Sequence, residues 1–166
     1  CKYLILAGCL AERYSKELID EIPDIDAIIG TGNIYKIFTI IQNLKNSSKR
    51  IIEIGNIDNK YLEEINRINF NPTQYVRISE GCDNFCTYCI IPKLRGKHRS
   101  RKIEDIVKEV EYLASNGVKE IILIGQNTSD YGIDLYGKYC LNMLLDKLNN
   151  IDGIVWIRIL YLYPDH

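Results

Sequence analysis

Residues 75–92 read YVRISEGCDNFCTYCIIP, and the reading of this stretch decides the rest of the chain. Tyr75 to Ser79 is a strand-like run. Cys82, Cys86 and Cys89 follow at C-x3-C-x2-C spacing, and Pro92 marks a turn. Such a loop can wrap three thiolates around one soft metal centre, because thiolate favours zinc, copper(I) and iron–sulfur clusters over hard cations. Three ligands do not close a four-ligand zinc site, and they leave one iron of a four-iron cluster without a protein ligand. The spacing therefore predicts a centre with one position for a non-protein group. The competing reading is a non-enzymatic zinc module, for which His98 is the nearest fourth donor.

Outward from the loop, the pattern is α/β. Gln74 to Ser79 opens a second α/β series. Ile103, Ile106, Val107, Val110 and Leu113 form an i, i+3, i+4, i+7 stripe, which predicts a helix to Asn116 with Ser100 as its cap and Gly117 at C′. Glu120 to Gly125 is a buried strand, Gln126 to Lys138 a long polar loop, Cys140 to Leu148 a helix and Val155 to Leu160 a strand. This is part of a barrel-like βα array, in which active groups gather on the loops after strands. The cysteine loop and the Gln126 loop both follow strands.

Towards the amino terminus, Lys2 to Gly8 and Ala27 to Gly30 read as short parallel strands. A helix is expected over Leu10 to Ile22, stopped by Pro23, and another from a cap at Asn33 to about Asn46. A strand is expected near Arg50 to Ile54. Gly55 to Pro72, polar and rich in Asn, reads as a connection between domains. The expected division is 1–66 and 67–166.

The 166 residues carry a net charge of −1 and 46% hydrophobic residues, enough for packed cores and uninformative about nucleic acid. Charge is uneven locally: Lys93, Arg95, Lys97, Arg99, Arg101 and Lys102 form an acid-free run, either a solvated loop or a contact for an acidic partner. Six cysteines, three crowded into one loop, argue against a disulfide framework. With no signal peptide and no apolar run near membrane-spanning length, a reducing cytoplasm is the expected compartment. Cys1 and Cys140 read as packed or exposed thiols. Both ends of the chain read as cuts through a longer protein.

Cys82-x3-Cys86-x-Tyr88-Cys89 at the end of a first barrel strand resembles the radical SAM superfamily. The resemblance implies that the three cysteines hold a 4Fe-4S cluster whose open iron chelates S-adenosylmethionine, and that one electron cleaves it to a 5′-deoxyadenosyl radical. EGCDNFCTYCIIPKLRGKHRSR and Gly8-Cys9-Leu10-Ala11 are similar to the methylthiotransferase branch. That branch holds a second 4Fe-4S cluster through three cysteines. Cys9 matches the third, and the other two are absent from this chain. The stretches Gln126-Asn127-Thr128 to Lys138 and Leu160 to Pro164 resemble the RimO-type enzymes. These act on the β-carbon of an aspartate in protein twelve of the small ribosomal subunit; MiaB-type enzymes, which act on tRNA, are the alternative.

The resemblance implies a partial auxiliary-cluster domain with its linker over 1–66 and a partial radical SAM barrel over 67–166. Gln126 and Asn127 would either contact the methionine amino group of S-adenosylmethionine or make simple hydrogen bonds within their loop. Tyr88 would either pack in the core or flank that cofactor. Arg95 and Arg99 would either face an acidic group or lie in solvent. A ribosomal protein or ribosome, an electron donor and a sulfur source are the implied partners. The 166-residue piece alone is expected not to turn over.

Overall fold

The computed structural model describes residues 2–47, 49–55, 57, 67 and 69–164. It divides into two compact units, one of residues 1–61 with 90–96 and the other of 62–89 with 97–166. The expected connection over 55–72 lies largely outside the described residues, as does Cys1.

The first unit is a three-stranded parallel sheet, β1 (Ile5–Ala7), β2 (Ala27–Ile29) and β3 (Ile51–Glu53), with β2 central. Ala27 and Ile29 pack with Ile40 and Leu44, whereas Ile28 packs with Ala11 and Ile25. Alternate residues of β2 thus feed opposite faces, as the pleat requires, and a strand covered on both sides reads as an unbroken apolar run. Helix α1 (Cys9–Glu21) covers one face and kinks at Tyr14. It ends before Ile22, whose φ of −122 and ψ of 87 leave the helical region ahead of Pro23.

Helix α2 (Ile37–Asn46) covers the other face, but it does not begin at an Asn33 cap. Residues Thr31–Lys36 form a tighter 3₁₀ turn. Asn33 is buried within it and donates Nδ2–H to the Gly55 carbonyl at 3.2 Å. A distant carbonyl took the side chain that would otherwise cap.

The second unit holds the parallel sheet β4 (Thr73–Arg77), β7 (Glu120–Ile124) and β8 (Trp156–Ile159), with β7 in the middle. Between β5 (Ser79–Glu80) and β6 (Arg99–Ser100), a two-residue antiparallel arm, the chain passes through α3 (Ile91–Arg95), which belongs to the first unit. The division of the chain is therefore not the single cut expected near residue 66.

Helices α4 (Ile103–Ser115) and α6 (Leu141–Asn149) pack on the sheet. The core joins Val76, Ile121 and Leu123 to Ile106, Val110, Leu113, Leu144 and Leu148. Each of these buried aliphatic chains contributes roughly 1.5–3 kcal/mol of transfer free energy. α4 closes as the stripe predicts. Gly117 has φ +89, its N–H reaches the Ala114 carbonyl at 3.0 Å, and the Val118 N–H reaches that of Leu113 at 3.1 Å.

Its start differs from the expectation. Ser100 lies in β6, two residues before the Lys102 cap position, and its Oγ accepts the Gly132 N–H at 2.9 Å. The Ile103 N–H donates instead to the Tyr136 hydroxyl, and Glu104 and Asp105 in the first turn suit the helix dipole.

The long polar loop after β7 is partly buried. Thr128 and Tyr131 are fully buried, and the Tyr131 hydroxyl donates to the Arg101 carbonyl at 2.8 Å. A short helix, α5 (Ile133–Tyr136), follows Gly132. A Cβ on Gly132 would meet Cys140 Cβ at 2.6 Å, so the close approach of these two backbones needs glycine.

Candidate metal centre

The cysteine loop leaves β5 at Gly81, whose φ of +80 turns the chain away from the arm. Gly81 is held by Gln126, the second residue past β7, whose Oε1 accepts the Gly81 N–H at 2.5 Å. At the far side of Cys82, Asp83 accepts the His98 N–H at 3.2 Å. Within the loop the Cys89 N–H donates to the Cys86 carbonyl at 2.9 Å, and Phe85 takes a left-handed conformation with φ +45. A non-glycine residue held there stores strain that the surroundings must impose, a pattern common at binding sites.

Cys82 is buried, while Cys86 and Cys89 are half-buried. Burial pushes the Cys82 thiol up, a hydrogen bond from the Asn84 backbone opposes it, and the negative charges of Asp130, Cys89 and Cys86 add to it. An all-sulfur donor set of this kind suits iron–sulfur or other soft-metal chemistry. Among the described residues no three His, Cys, Asp or Glu side chains converge on one metal ion. His98 does not complete a zinc site: it is only 4% exposed, with Nε2 3.2 Å from Ser100 Oγ and 3.9 Å from Asp134 Oδ1.

The other expected residues fall out as follows. Tyr88 is 91% exposed beside Cys89, so it is no part of the core. Asn127 is 3% exposed, and its side chain is used within its own turn: Nδ2 donates to Asp130 at 2.8 Å and Oδ1 accepts the Ser129 N–H at 3.1 Å. Cys9, in the first unit, is half-buried at the start of α1 and accepts a hydrogen bond from Arg95 at 3.3 Å. Cys140 is a core thiol, donating to the Lys138 carbonyl at 3.4 Å.

The basic run is not one surface. Lys93, Lys97 and Lys102 are exposed, but Arg95 serves Cys9. Arg101 is 2% exposed and donates to Glu109 at 2.6 Å and to the Arg77 carbonyl at 2.8 Å.

Residues 76–161, from within β4 to just past β8, match the radical SAM superfamily. The chain belongs to that superfamily. The match begins ahead of the cysteine loop and contains Cys82, Cys86 and Cys89. The chain is also 51% identical over 166 residues to the ribosomal protein uS12 methylthiotransferase RimO of Thermoanaerobacter sp. (strain X514), covering 99% of this chain and 38% of the relative. The enzyme of the same name from Clostridioides difficile (strain 630) is 52% identical, with 37% of its length covered. That from Desulforamulus reducens is 50% identical over 167 residues. The chain thus spans well under half the length of these curated relatives.

Two contributors were missed in the sequence. Glu12 accepts the N–H groups of Thr31 at 3.1 Å and Gly55 at 2.8 Å, tying α1 to the loops after β2 and β3. Asp130 adds negative charge at Cys82 and fixes Asn127. The Asn127-x2-Asp130 spacing within a polar turn was the available signal for the second. Nothing local marked the first.

Proposed function

We propose that the full-length protein is a radical SAM methylthiotransferase that adds a methylthio group to the β-carbon of an aspartate in ribosomal protein uS12. The observation that carries this reading is the loop of Cys82, Cys86 and Cys89, which leaves the β5 arm directly after Glu80 and lies within the stretch that matches the radical SAM superfamily. The names of relatives about half identical over almost the whole chain support the substrate. A 4Fe-4S cluster on these thiols would supply one electron to S-adenosylmethionine and so start hydrogen abstraction from an unactivated carbon.

The chain's own residues then have distinct tasks. Cys82, Cys86 and Cys89 would ligate the cluster. Gln126 sets the approach of the loop through Gly81. With its oxygen committed there, a contact to the methionine falls to its amide N–H₂ group, a donor that suits the carboxylate and not the ammonium. Asn127 supports the turn through Asp130 and Ser129, and its second amide N–H would be the group left for the cofactor. Exposed Tyr88 would cover one side of the bound cofactor. Cys9 would be one ligand of a second 4Fe-4S cluster. A one-electron donor and a sulfur source are the further partners, and the cytoplasm, where ribosomes are modified, is the compartment. No helix among the described residues is long and apolar enough to cross a membrane.

The test uses the full-length protein, reconstituted anaerobically and supplied with S-adenosylmethionine, sulfide and dithionite. Small ribosomal subunits and tRNA are offered in parallel and read by mass spectrometry. Methylthio on an aspartate of uS12, lost in Cys82→Ala, is the expected result. Methylthio on tRNA alone, or a colourless protein that retains one zinc, overturns it.

A further inference from the structure

Val76 of β4 packs in the core with Ile121 and Leu123, so alternation along the strand sets Tyr75 and Arg77 on the opposite face of the sheet. That face is open: Tyr75 and Trp156 on it are exposed. Arg77 is the last residue of β4, level with Ile124 of β7. It therefore stands at the strand ends where βα arrays place their reacting groups, just ahead of the β5 arm from which the cysteine loop leaves.

Its guanidinium is anchored but not saturated. Nη1 donates to Glu80 Oε2 at 3.0 Å, and Glu80 is buried in the β5–β6 arm. The Arg77 carbonyl accepts from Arg101 at 2.8 Å. Nε is buried without an acceptor among the described residues, and Nη2 has no acceptor among them either. The side chain is 31% exposed, so a ligand can reach it. The other cation on the strands of this sheet, Arg158, is paired with Glu120, and Arg67 and Arg101 are paired with Glu109. Nε and Nη2 form the guanidinium edge whose two parallel donors match the two oxygens of a carboxylate.

We propose that Arg77 is a specificity-determining residue that receives the side-chain carboxylate of the substrate aspartate on its Nε–Nη2 edge. The proposal rests on the aspartate-modifying reading above. The β-carbon of an aspartate carries the carboxylate, so a group that grips the carboxylate also fixes the reacting carbon one bond away. Glu80 already holds the guanidinium, so little side-chain freedom is lost on binding. The incoming carboxylate supplies the acceptor that Nε lacks, through a charge-assisted bond stronger than a neutral one. Asparagine would set its amide N–H₂ against one of the two donors, and the site would reject it.

The experiment measures co-sedimentation of the full-length, reconstituted protein with small ribosomal subunits, in the presence of S-adenosylmethionine and without reductant. The subunits carry either wild-type uS12 or uS12 whose modified aspartate is replaced by asparagine. Wild-type enzyme is compared with Arg77→Met and Arg77→Lys. The wild-type enzyme should bind the asparagine subunits about tenfold more weakly, or worse. In Arg77→Met that gap should close, because the partner of the carboxylate is gone. An arginine that only braced Glu80 would weaken both complexes alike and leave the gap; that result overturns the proposal, as does a wild-type enzyme with no gap. If Arg77→Met does not fold or reconstitute, Arg77→Lys decides: it keeps the charge but loses the fork, so a narrowed gap supports the proposal and a full gap overturns it. Failure of the underlying reading is a separate result, in which wild-type enzyme given dithionite and sulfide puts no methylthio group on uS12.

Discussion

The side-chain oxygen of Gln126 accepts the backbone N–H of Gly81 at 2.5 Å, so the loop after β7 holds the residue directly before Cys82. Replacing Gln126 with Ala leaves that amide without its acceptor, a loss worth about 1–3 kcal/mol. Iron release to a chelator from the reconstituted full-length protein should then accelerate by roughly an order of magnitude. Gln126→Glu keeps an acceptor oxygen and should release iron near the wild-type rate. Equal rates in Ala and wild type would remove Gln126 from the support of the loop.

Cys82 carries a testable pH signature in the metal-free protein. Its thiol is pushed up chiefly by burial, so at a given pH less of it is thiolate than for an ordinary cysteine. Alkylation by iodoacetamide, followed residue by residue with mass spectrometry, should be slower at Cys82 than at half-buried Cys86 and Cys89. Its rate should keep rising to a pH at which a free cysteine has levelled off. The sign for stability follows from the same shift. The folded state favours the protonated thiol, so this contribution is complete below the unfolded-state value and is lost as pH rises through the folded one.

Gly30 has an ordinary φ of −70, yet a side chain there has no room. A Cβ would lie 1.7 Å from Glu12 Oε2 and 3.1 Å from the Ile54 Cα. Gly30→Ala should therefore push the carboxylate off Thr31 and Gly55 and destabilise the full-length protein by about 2 kcal/mol, the scale of two part-buried hydrogen bonds. Because both changes break the same contacts, Gly30→Ala and Glu12→Ala together should cost clearly less than their sum in urea unfolding.

Arg101 and Arg67 both donate to Glu109, each from one side of its carboxylate. Arg101→Ala removes the more buried partner and strands part of the charge. A destabilisation of about 3 kcal/mol is expected, at the low end for a broken buried pair because Arg67 remains. Arg101→Ala together with Glu109→Leu should recover a substantial part of it. A shift below about 0.5 kcal/mol in Arg101→Ala, typical of an exposed arginine, would contradict the buried-pair account.

What could be read in the sequence follows a physical division. The α4 stripe, Gly117 and the buried strands were legible because their signals are local: periodicity, a left-handed position, an unbroken apolar run. The three cysteines stand out by spacing, and in the structure they share one loop after β5. Asn33 and Ser100 misled because capping chemistry is generic. The same side chains satisfy Gly55 and Gly132, which lie far along the chain. The Gln126–Lys138 stretch was legible as a polar loop but not as a partly buried one, because several of its polar groups bond to one another and to backbone, which composition cannot reveal. Arg95 and Arg101 looked like one basic surface because their partners, Cys9 and Glu109, are identified only once the chain is folded.

The placement of α3 limits how such a protein can be taken apart or inherited. Residues 90–96 belong with 1–61, although the residues on both sides of them belong to the other unit. The polypeptide therefore passes from one unit to the other three times, and no single break in the gene separates them. A recombinant that exchanged only the leading segment would leave Leu94 and Arg95 facing an unfamiliar Thr31 and Cys9. Cys9 and Arg95 thus meet inside one unit although another unit's residues separate them along the chain, so a replacement at either is felt by the other within the same fold.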